Sequence, residues 1–158
     1  MEGINNRMRI SLTLSVRGDL LDPDQITTVL GVMPHVSRKK GELRVTGGGK
    51  EIVSKTGVWE WWSRDASEKF TLDEHVERIR HAFKNTQHLL SKLPGADTAW
   101  IDIHIVEGDG TYEVPSVSFV TSHQALLALS QLGLPLEVTI DVVPIDGERG
   151  ADAGHQQP

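Results

Sequence analysis

Alternating side chains mark four segments of the chain as β-strands. In residues 9–17, 99–105 and 136–143, every second residue is apolar, and in 58–63 Trp59 and Trp61 alternate with more polar positions. This period of two is typical of a sheet with one buried face. A fifth strand is predicted over 114–120, because Gly-Asp-Gly at 108–110 supplies a turn for a hairpin.

Capping residues and helical periodicity predict three helices. Residues 22–25, Asp-Pro-Asp-Gln, begin a short helix that a glycine at 31 ends. A capping box at Thr71 and Glu74 precedes apolar residues at helical spacings, which predict one continuous helix over 72–93. The third helix is predicted to have its cap at Thr121 and to end at a glycine and a proline before the last strand.

The order of elements, β-α-β-α-β-β-α-β, predicts an α+β fold with a single, largely antiparallel sheet covered by helices on one face. One domain over 9–145 is expected, with flexible termini at 1–8 and 146–158. Residues 35–56 are Gly-rich and basic, and the pattern favours a long loop there with a weak strand near 43–45.

Composition narrows the classes of function. The chain has no cysteine, which excludes a thiolate nucleophile, a Cys-ligated zinc site and an iron–sulfur cluster. No apolar run suggests a signal peptide or a membrane span, so a cytoplasmic location is expected. A net charge of −6 argues against general nucleic-acid binding and suits a basic partner better.

Four short strings resemble a known bacterial family. They are LLDPDQI at 20–26, LGVMP at 30–34, RKKGE at 38–42 and TGVW at 56–59, and the likeness extends over about residues 8–143. The family is the one numbered 4279 among domains of unknown function. Its Lys-Gly-Glu and Thr-Gly-Val-Trp strings are the most specific part of the match, whereas the Trp61-Trp62 pair departs from the family's pattern.

The resemblance implies no established chemistry, cofactor or catalytic residue. Some relatives lie beside toxin genes in polymorphic or contact-dependent toxin systems. An immunity role, in which the protein binds and neutralises a bacterial toxin, is therefore what the resemblance implies.

The motifs that could carry chemistry are incomplete. The segment Gly47 to Lys50 lacks the first glycine and the Ser or Thr of a phosphate-binding loop. His81 and His88 do not have the spacing of a metal-binding helix, and a solvated polar face is the simpler interpretation. We therefore predict no metal, no cofactor and no enzymatic activity, although Asp102, His104 and Asp141 leave a hydrolase as a third hypothesis.

Two surfaces remain as candidates for binding. The first is the outer face of the sheet, where side chains alternate away from the apolar positions: Glu60, Trp62, Trp100, Asp102, His104 and Asp141. Between residues 35 and 56, six Lys and Arg oppose two Glu, a local charge of +4 that leaves −10 on the remainder. Within it, the candidate anion-binding residues are Arg38, Lys39, Lys40 and Arg44.

The favoured hypothesis is a non-catalytic, protein-binding inhibitor that contacts a basic toxin domain through the outer sheet face. The alternative is a regulatory domain that binds a small ligand or an anion through the basic, Gly-rich loop.

Overall fold

Seven strands form two sheets in the computed structural model, which describes residues 8–63, 70–109 and 118–144. The strands are β1 Arg9–Gly18, β2 Val36–Arg38, β3 Leu43–Val45, β4 Glu51–Val53, β5 Gly57–Trp62, β6 Thr98–Asp109 and β7 Leu136–Pro144. Five of them form the main sheet in the order β2-β5-β1-β6-β7, and β3 pairs with β4 in a separate hairpin.

Strand β1 is the centre of the main sheet and pairs antiparallel with both β5 and β6. Strand β2 is also antiparallel to β5, whereas β7 lies parallel to β6. The α+β class and the largely antiparallel sheet predicted from the sequence are confirmed. The parallel pair arises because the connection between β6 and β7 contains a helix, which returns the chain to the same end of the sheet.

The helices lie on one face of the main sheet. They are α1 Pro23–Leu30, α2 Leu72–Ala82, a 3₁₀ helix at Gln87–Lys92 and α3 His123–Gln131. Helix α1 packs over β5, α2 over β1, and α3 against α2. None of the described helices is long and apolar enough to cross a membrane.

The core lies between this helical layer and the inner face of the sheet. Alternate residues of β1, β5 and β6 supply the sheet side: Leu12, Leu14, Val16, Trp59, Ile101, Ile103 and Ile105. The Trp59 indole Nε1 donates to the Thr27 hydroxyl oxygen at 3.0 Å, so this buried ring has a partner for its only polar group. The alternation predicted for these strands is confirmed.

Two of the three predicted helix starts are confirmed. The Asp22 carboxylate accepts from the Asp24 N–H at 3.1 Å, and Thr71 and Glu74 form the reciprocal capping box. The third cap is Ser122 rather than Thr121, because the Ser122 hydroxyl accepts from the Ala125 N–H at 3.1 Å. The Thr121 hydroxyl instead donates to Asp73 of α2 at 2.8 Å.

The prediction of a continuous helix over 72–93 is wrong. Helix α2 ends at Ala82, and residues 83–86 form a turn before the 3₁₀ helix. Asn85 and Thr86 have low helix propensity. The carbonyl of Phe83 accepts hydrogen bonds from the Thr86 N–H at 2.9 Å and from the Gln87 N–H at 2.7 Å, which tightens the chain into a turn. The tightened turn still buries Phe83 and Leu90 in the core, so the apolar spacing correctly identified the buried residues.

The interpretation of residues 35–56 as mainly loop is also corrected. This segment contains β2, β3 and β4, of which only β3 was anticipated. Strand β2 forms because its backbone extends the edge of β5, which a local pattern cannot indicate. Residues 118–120 are not in a strand, and the rest of the hairpin strand predicted over 114–120 lies outside the described residues, as do 1–7 and 146–158.

Replacing Phe83 by alanine should lower the free energy of unfolding by about 3–5 kcal/mol, because its fully buried ring contacts Trp59 and Trp61. Denaturant melts measure this loss. Val120→Ala is the control, since Val120 is 92% exposed. A loss below about 1 kcal/mol for Phe83→Ala would contradict this packing.

Candidate functional site

One face of the main sheet has no helix against it in the described part of the chain, and this uncovered face carries all six residues predicted as partner contacts. They alternate with core residues along their strands, so their side chains point away from the helices. Asp141 is exposed and the other five are partly buried. They are Glu60 and Trp62 on β5, Trp100, Asp102 and His104 on β6, and Asp141 on β7.

Part of the charge on this face is already paired. Arg17 of β1 forms an ion pair with Glu60, and its guanidinium lies 5.8 Å from the centre of the Trp100 ring. His104 Nε2 lies 2.8 Å from Asp141 Oδ2. The Glu60 carboxylate, only 17% exposed, is therefore less accessible to a partner than the sequence suggested.

Asp102 and Glu137 lie directly opposite each other on the neighbouring strands β6 and β7. Two carboxylates in this register repel each other, and among the described residues Asp102 accepts a hydrogen bond from the Thr139 hydroxyl at 3.2 Å. Sequence reasoning missed Glu137, because it could not establish that β7 is the neighbour of β6. The face thus has an acidic side on β6 and β7, next to Trp100.

The basic segment lies against acidic residues of its own chain. Lys39 Nζ is 3.0 Å from Asp22 Oδ1 and 3.2 Å from Asp24 Oδ2, and Lys40 forms an ion pair with Asp19. The Lys39 ammonium beside Asp22 holds the pKa of that carboxyl below its ordinary value. Of the four candidate anion-binding residues, Lys39 and Lys40 are thus engaged, whereas Arg38 and Arg44 have no carboxylate within ion-pair distance among the described residues.

The Gly-rich segment between β3 and β4 is a hairpin turn. Thr46 N–H donates to the Lys50 carbonyl at 2.9 Å, Gly49 N–H donates to the Thr46 carbonyl at 2.8 Å, and Lys50 N–H donates to the Thr46 hydroxyl at 3.1 Å. Gly49 has a φ of 78°, which favours glycine. These bonds engage the N–H groups of Thr46, Gly49 and Lys50, which are among the backbone donors that a phosphate-binding loop would point at an anion.

A groove of about 600 Å³ opens at the end of β5, and sequence reasoning did not anticipate it. His35 stacks on Trp62 with ring centres 5.4 Å apart, while Trp61 packs edge-on against Phe83. Arg78 and other residues of α2 form the opposite wall. The groove lies where the short strand β2 ends, so that Trp61 and Trp62 have β1 on one side and no described strand on the other. The Trp61-Trp62 pair was its only signal in the sequence.

Ser63 and His75 form a buried polar pair beneath this groove. Ser63 Oγ lies 2.8 Å from His75 Nδ1 and donates to the Leu12 carbonyl at 3.0 Å. Burial lowers the pKa of His75, so the neutral ring is favoured. Each residue is only 2% exposed, and the pair joins the end of β5 to α2.

In the described ranges, no three His, Asp or Glu side chains converge as a metal site would require. Asp102 bonds to Thr139 whereas His104 contacts Asp141, so these two residues of the hydrolase hypothesis have separate partners. His104 and Asp141 do meet, as the hydrolase hypothesis requires, but on an open sheet surface.

The fold and this surface define an α+β domain with an uncovered, partly acidic sheet face. The chain belongs to the family described as domain of unknown function (DUF4279), whose model matches residues 8–143. No curated protein and no solved structure matches the chain.

The two most specific of the four family strings have structural roles here. In the Lys-Gly-Glu string, Gly41 has a φ of 84° and the Glu42 carboxylate accepts from the Lys39 N–H at 2.9 Å, which closes a turn. In Thr-Gly-Val-Trp, a Cβ on Gly57 would lie 2.7 Å from both the Gly18 carbonyl oxygen and Leu21 Cβ. Both strings therefore contribute to the fold.

Gly57→Ala should lower the free energy of unfolding by about 1–3 kcal/mol, because the added methyl group meets backbone that cannot move freely. Gly48→Ala is the matched control, since nothing lies within 4 Å of the position that its added methyl group would take. Equal stability of the two variants in denaturant melts would contradict the close approach at Gly57.

Glu137→Lys should raise the free energy of unfolding by about 0.2–1 kcal/mol, because it replaces the repulsion of Asp102 by attraction. The control is Glu51→Lys on β4, which changes the net charge equally at an exposed site. The gain should shrink as salt is added. A stability loss at Glu137, or the same gain at Glu51, would argue against this repulsion.

Proposed function

We propose that this protein is a non-catalytic binding domain that holds a basic partner protein against its uncovered sheet face. More specifically, we propose an immunity protein that neutralises a bacterial toxin. The observation that carries the proposal is the Asp102–Glu137 pair beside Trp100.

The geometry of this pair favours a cationic ligand. Two facing carboxylates lose their mutual repulsion when a Lys or Arg side chain lies between them, so part of the binding free energy comes from relief of a cost in the free protein. Trp100 supplies adjacent aromatic surface of the kind that is enriched where binding energy concentrates. The excess of acidic residues, a net charge of −6, would speed the approach of a basic partner.

Inhibition by this surface requires no chemistry. A partner whose active site is basic, as in enzymes that bind nucleic acid, would be blocked when the sheet face covers it. The toxin-neutralising part of the proposal depends on the family resemblance. Membership of a family of unknown function supplies no activity by itself.

The alternative of anion binding by the basic segment is less favoured. A ligand there would compete with the carboxylates of Asp19, Asp22 and Asp24 for Lys39 and Lys40. The outer sheet face has no comparable internal cation for Asp102 or Glu137 among the described residues, which is why we place the partner there.

The test is co-expression with the toxic domain of a protein encoded beside this gene. We expect restored growth and a complex on gel filtration. Trp100→Ala should weaken binding by about 2 kcal/mol or more, and Asp102→Lys should weaken it strongly and more so at low salt, because a cation would then face the basic partner.

Glu51→Lys is the control, since it makes the same charge change away from the sheet face, and circular dichroism establishes that each variant is folded. Loss of binding on reversal of Arg38, Lys39, Lys40 or Arg44, with Asp102→Lys unaffected, would favour the anion-binding alternative. Unaltered killing, with no complex on gel filtration, would reject the immunity proposal.

A further inference from the structure

Strand β7 forms a long edge of the main sheet. It has 9 residues, and no described strand pairs with its outer side. The opposite edge, β2, has only 3 residues. Exposed edges are usually short or carry Lys, Pro or inward-facing charges, because unpaired backbone groups recruit other strands. Strand β7 carries no Lys, its one Pro is the last residue, Pro144, and its two charged residues face the outer surface.

The inner face of β7 is apolar and incompletely covered. Leu136, Val138 and Ile140 are opposite Ile101, Ile103 and Ile105 of β6, so they lie on the helical side of the sheet. The three β6 side chains are at most 2% exposed, whereas the three on β7 are 46–49% exposed. The apolar inner face of the sheet therefore continues from β6, whose side chains are buried, to the edge strand β7, whose side chains are about half exposed.

The hydrogen bonding of β6 shows which backbone groups are free at this edge. Ile101 N–H donates to the Pro135 carbonyl at 2.9 Å, and Ile101 is the register partner of Leu136. In a parallel pair, this places the N–H and C=O of the odd-numbered residues of β7 toward β6. The N–H and C=O of Leu136, Val138 and Ile140 consequently point outward, and these are the same residues that present the apolar face.

We propose that the β7 edges of two copies of this chain pair antiparallel about a two-fold axis at Val138. In this register Leu136 lies opposite the partner's Ile140 and Val138 opposite its own counterpart, so every outward N–H and C=O of these residues has a partner. The six aliphatic side chains form one continuous strip, which removes part of their exposed apolar surface from water.

Charge on the outer face favours an axis at Val138 over one at Thr139, and it suits a second copy of the chain as the occupant. With the axis at Val138, Glu137 faces the partner's Thr139, a carboxylate beside a hydroxyl. With the axis at Thr139, Glu137 would face the partner's Asp141. The two-fold axis would repeat this repulsive pair, so two pairs of carboxylates would face each other. With the axis at Val138, the strand is thus complementary to itself, with apolar residues opposite apolar ones and no carboxylates opposed.

The dimer goes beyond the proposed function, because it forms through the backbone edge of β7 rather than through the uncovered face. It would join two five-stranded sheets into one continuous sheet and place two copies of the Asp102–Glu137 pair on the same uncovered face.

The oligomeric state of the full chain tests the proposal. Sedimentation equilibrium over a micromolar to sub-millimolar series should give a mass that rises toward twice 17.4 kDa. Val138→Pro should remain monomeric yet folded, because only an outward N–H is removed, and Val138→Lys should do the same by placing charge in the strip. Leu20→Lys, at a residue that is 87% exposed outside the strand, should dimerise like the unchanged protein.

Single cysteines test the register, since the chain has none of its own. Oxidised Val138→Cys should form a covalent dimer, because residues facing each other across an antiparallel pair lie within disulfide range. Thr139→Cys should cross-link far less, because residue 139 faces residue 137 of the partner. A monomer at every concentration, dimers that persist in both folded Val138 variants, or more efficient cross-linking of Thr139→Cys would overturn the proposal.

Discussion

The two-residue period of β1 is the constraint on which the rest of the structure depends. This strand is hydrogen-bonded to β5 on one side and to β6 on the other. Its backbone therefore cannot rotate about the strand axis without breaking the hydrogen bonds to both neighbours. Its even-numbered residues bury Leu12, Leu14 and Val16 beneath α2, and its odd-numbered residues must then face the other way. The division into a covered apolar face and an uncovered polar face follows and extends to β5 and β6 through their register with β1.

A second constraint fixes where the strands begin. The backbone at Gly18, at the end of β1, approaches Gly57, at the start of β5, too closely for a side chain on Gly57, and Gly18 itself is crowded by the Gly95 carbonyl. Gly95 adds a left-handed residue with a φ of 70° against the Leu20 carbonyl, just before β6. The ends of β1, β5 and β6 therefore approach each other at glycines, where no side chain separates the backbones. This close approach sets the register that places Glu60 beside Arg17 and Trp100.

The candidate site and the dimer edge both result from the position of β7. Its parallel alignment with β6 brings Glu137 opposite Asp102 and places Asp141 within reach of His104. The same alignment leaves Leu136, Val138 and Ile140 at the edge of the sheet. Their backbone N–H and C=O groups point away from β6, and their aliphatic side chains are about half exposed. One strand thus supplies acidic groups to the uncovered face and an apolar strip to the covered face, because alternate side chains never share a face.

The sequence by itself determined the features that depend on near neighbours in the chain: the alternation in β1, β6 and β7, the caps at Asp22 and Thr71, and which residues are buried. It also placed Trp100 and Asp102 on the uncovered face, since strand parity requires only the local pattern. Only the tertiary structure decided that α2 ends at Ala82, because the packing of Phe83 in the core and the turn after it compete with helical propensity. It also decided that β7 adjoins β6, and therefore that Glu137 faces Asp102. Strand pairing is a contact between residues far apart in sequence, and no periodicity within either strand encodes its neighbour.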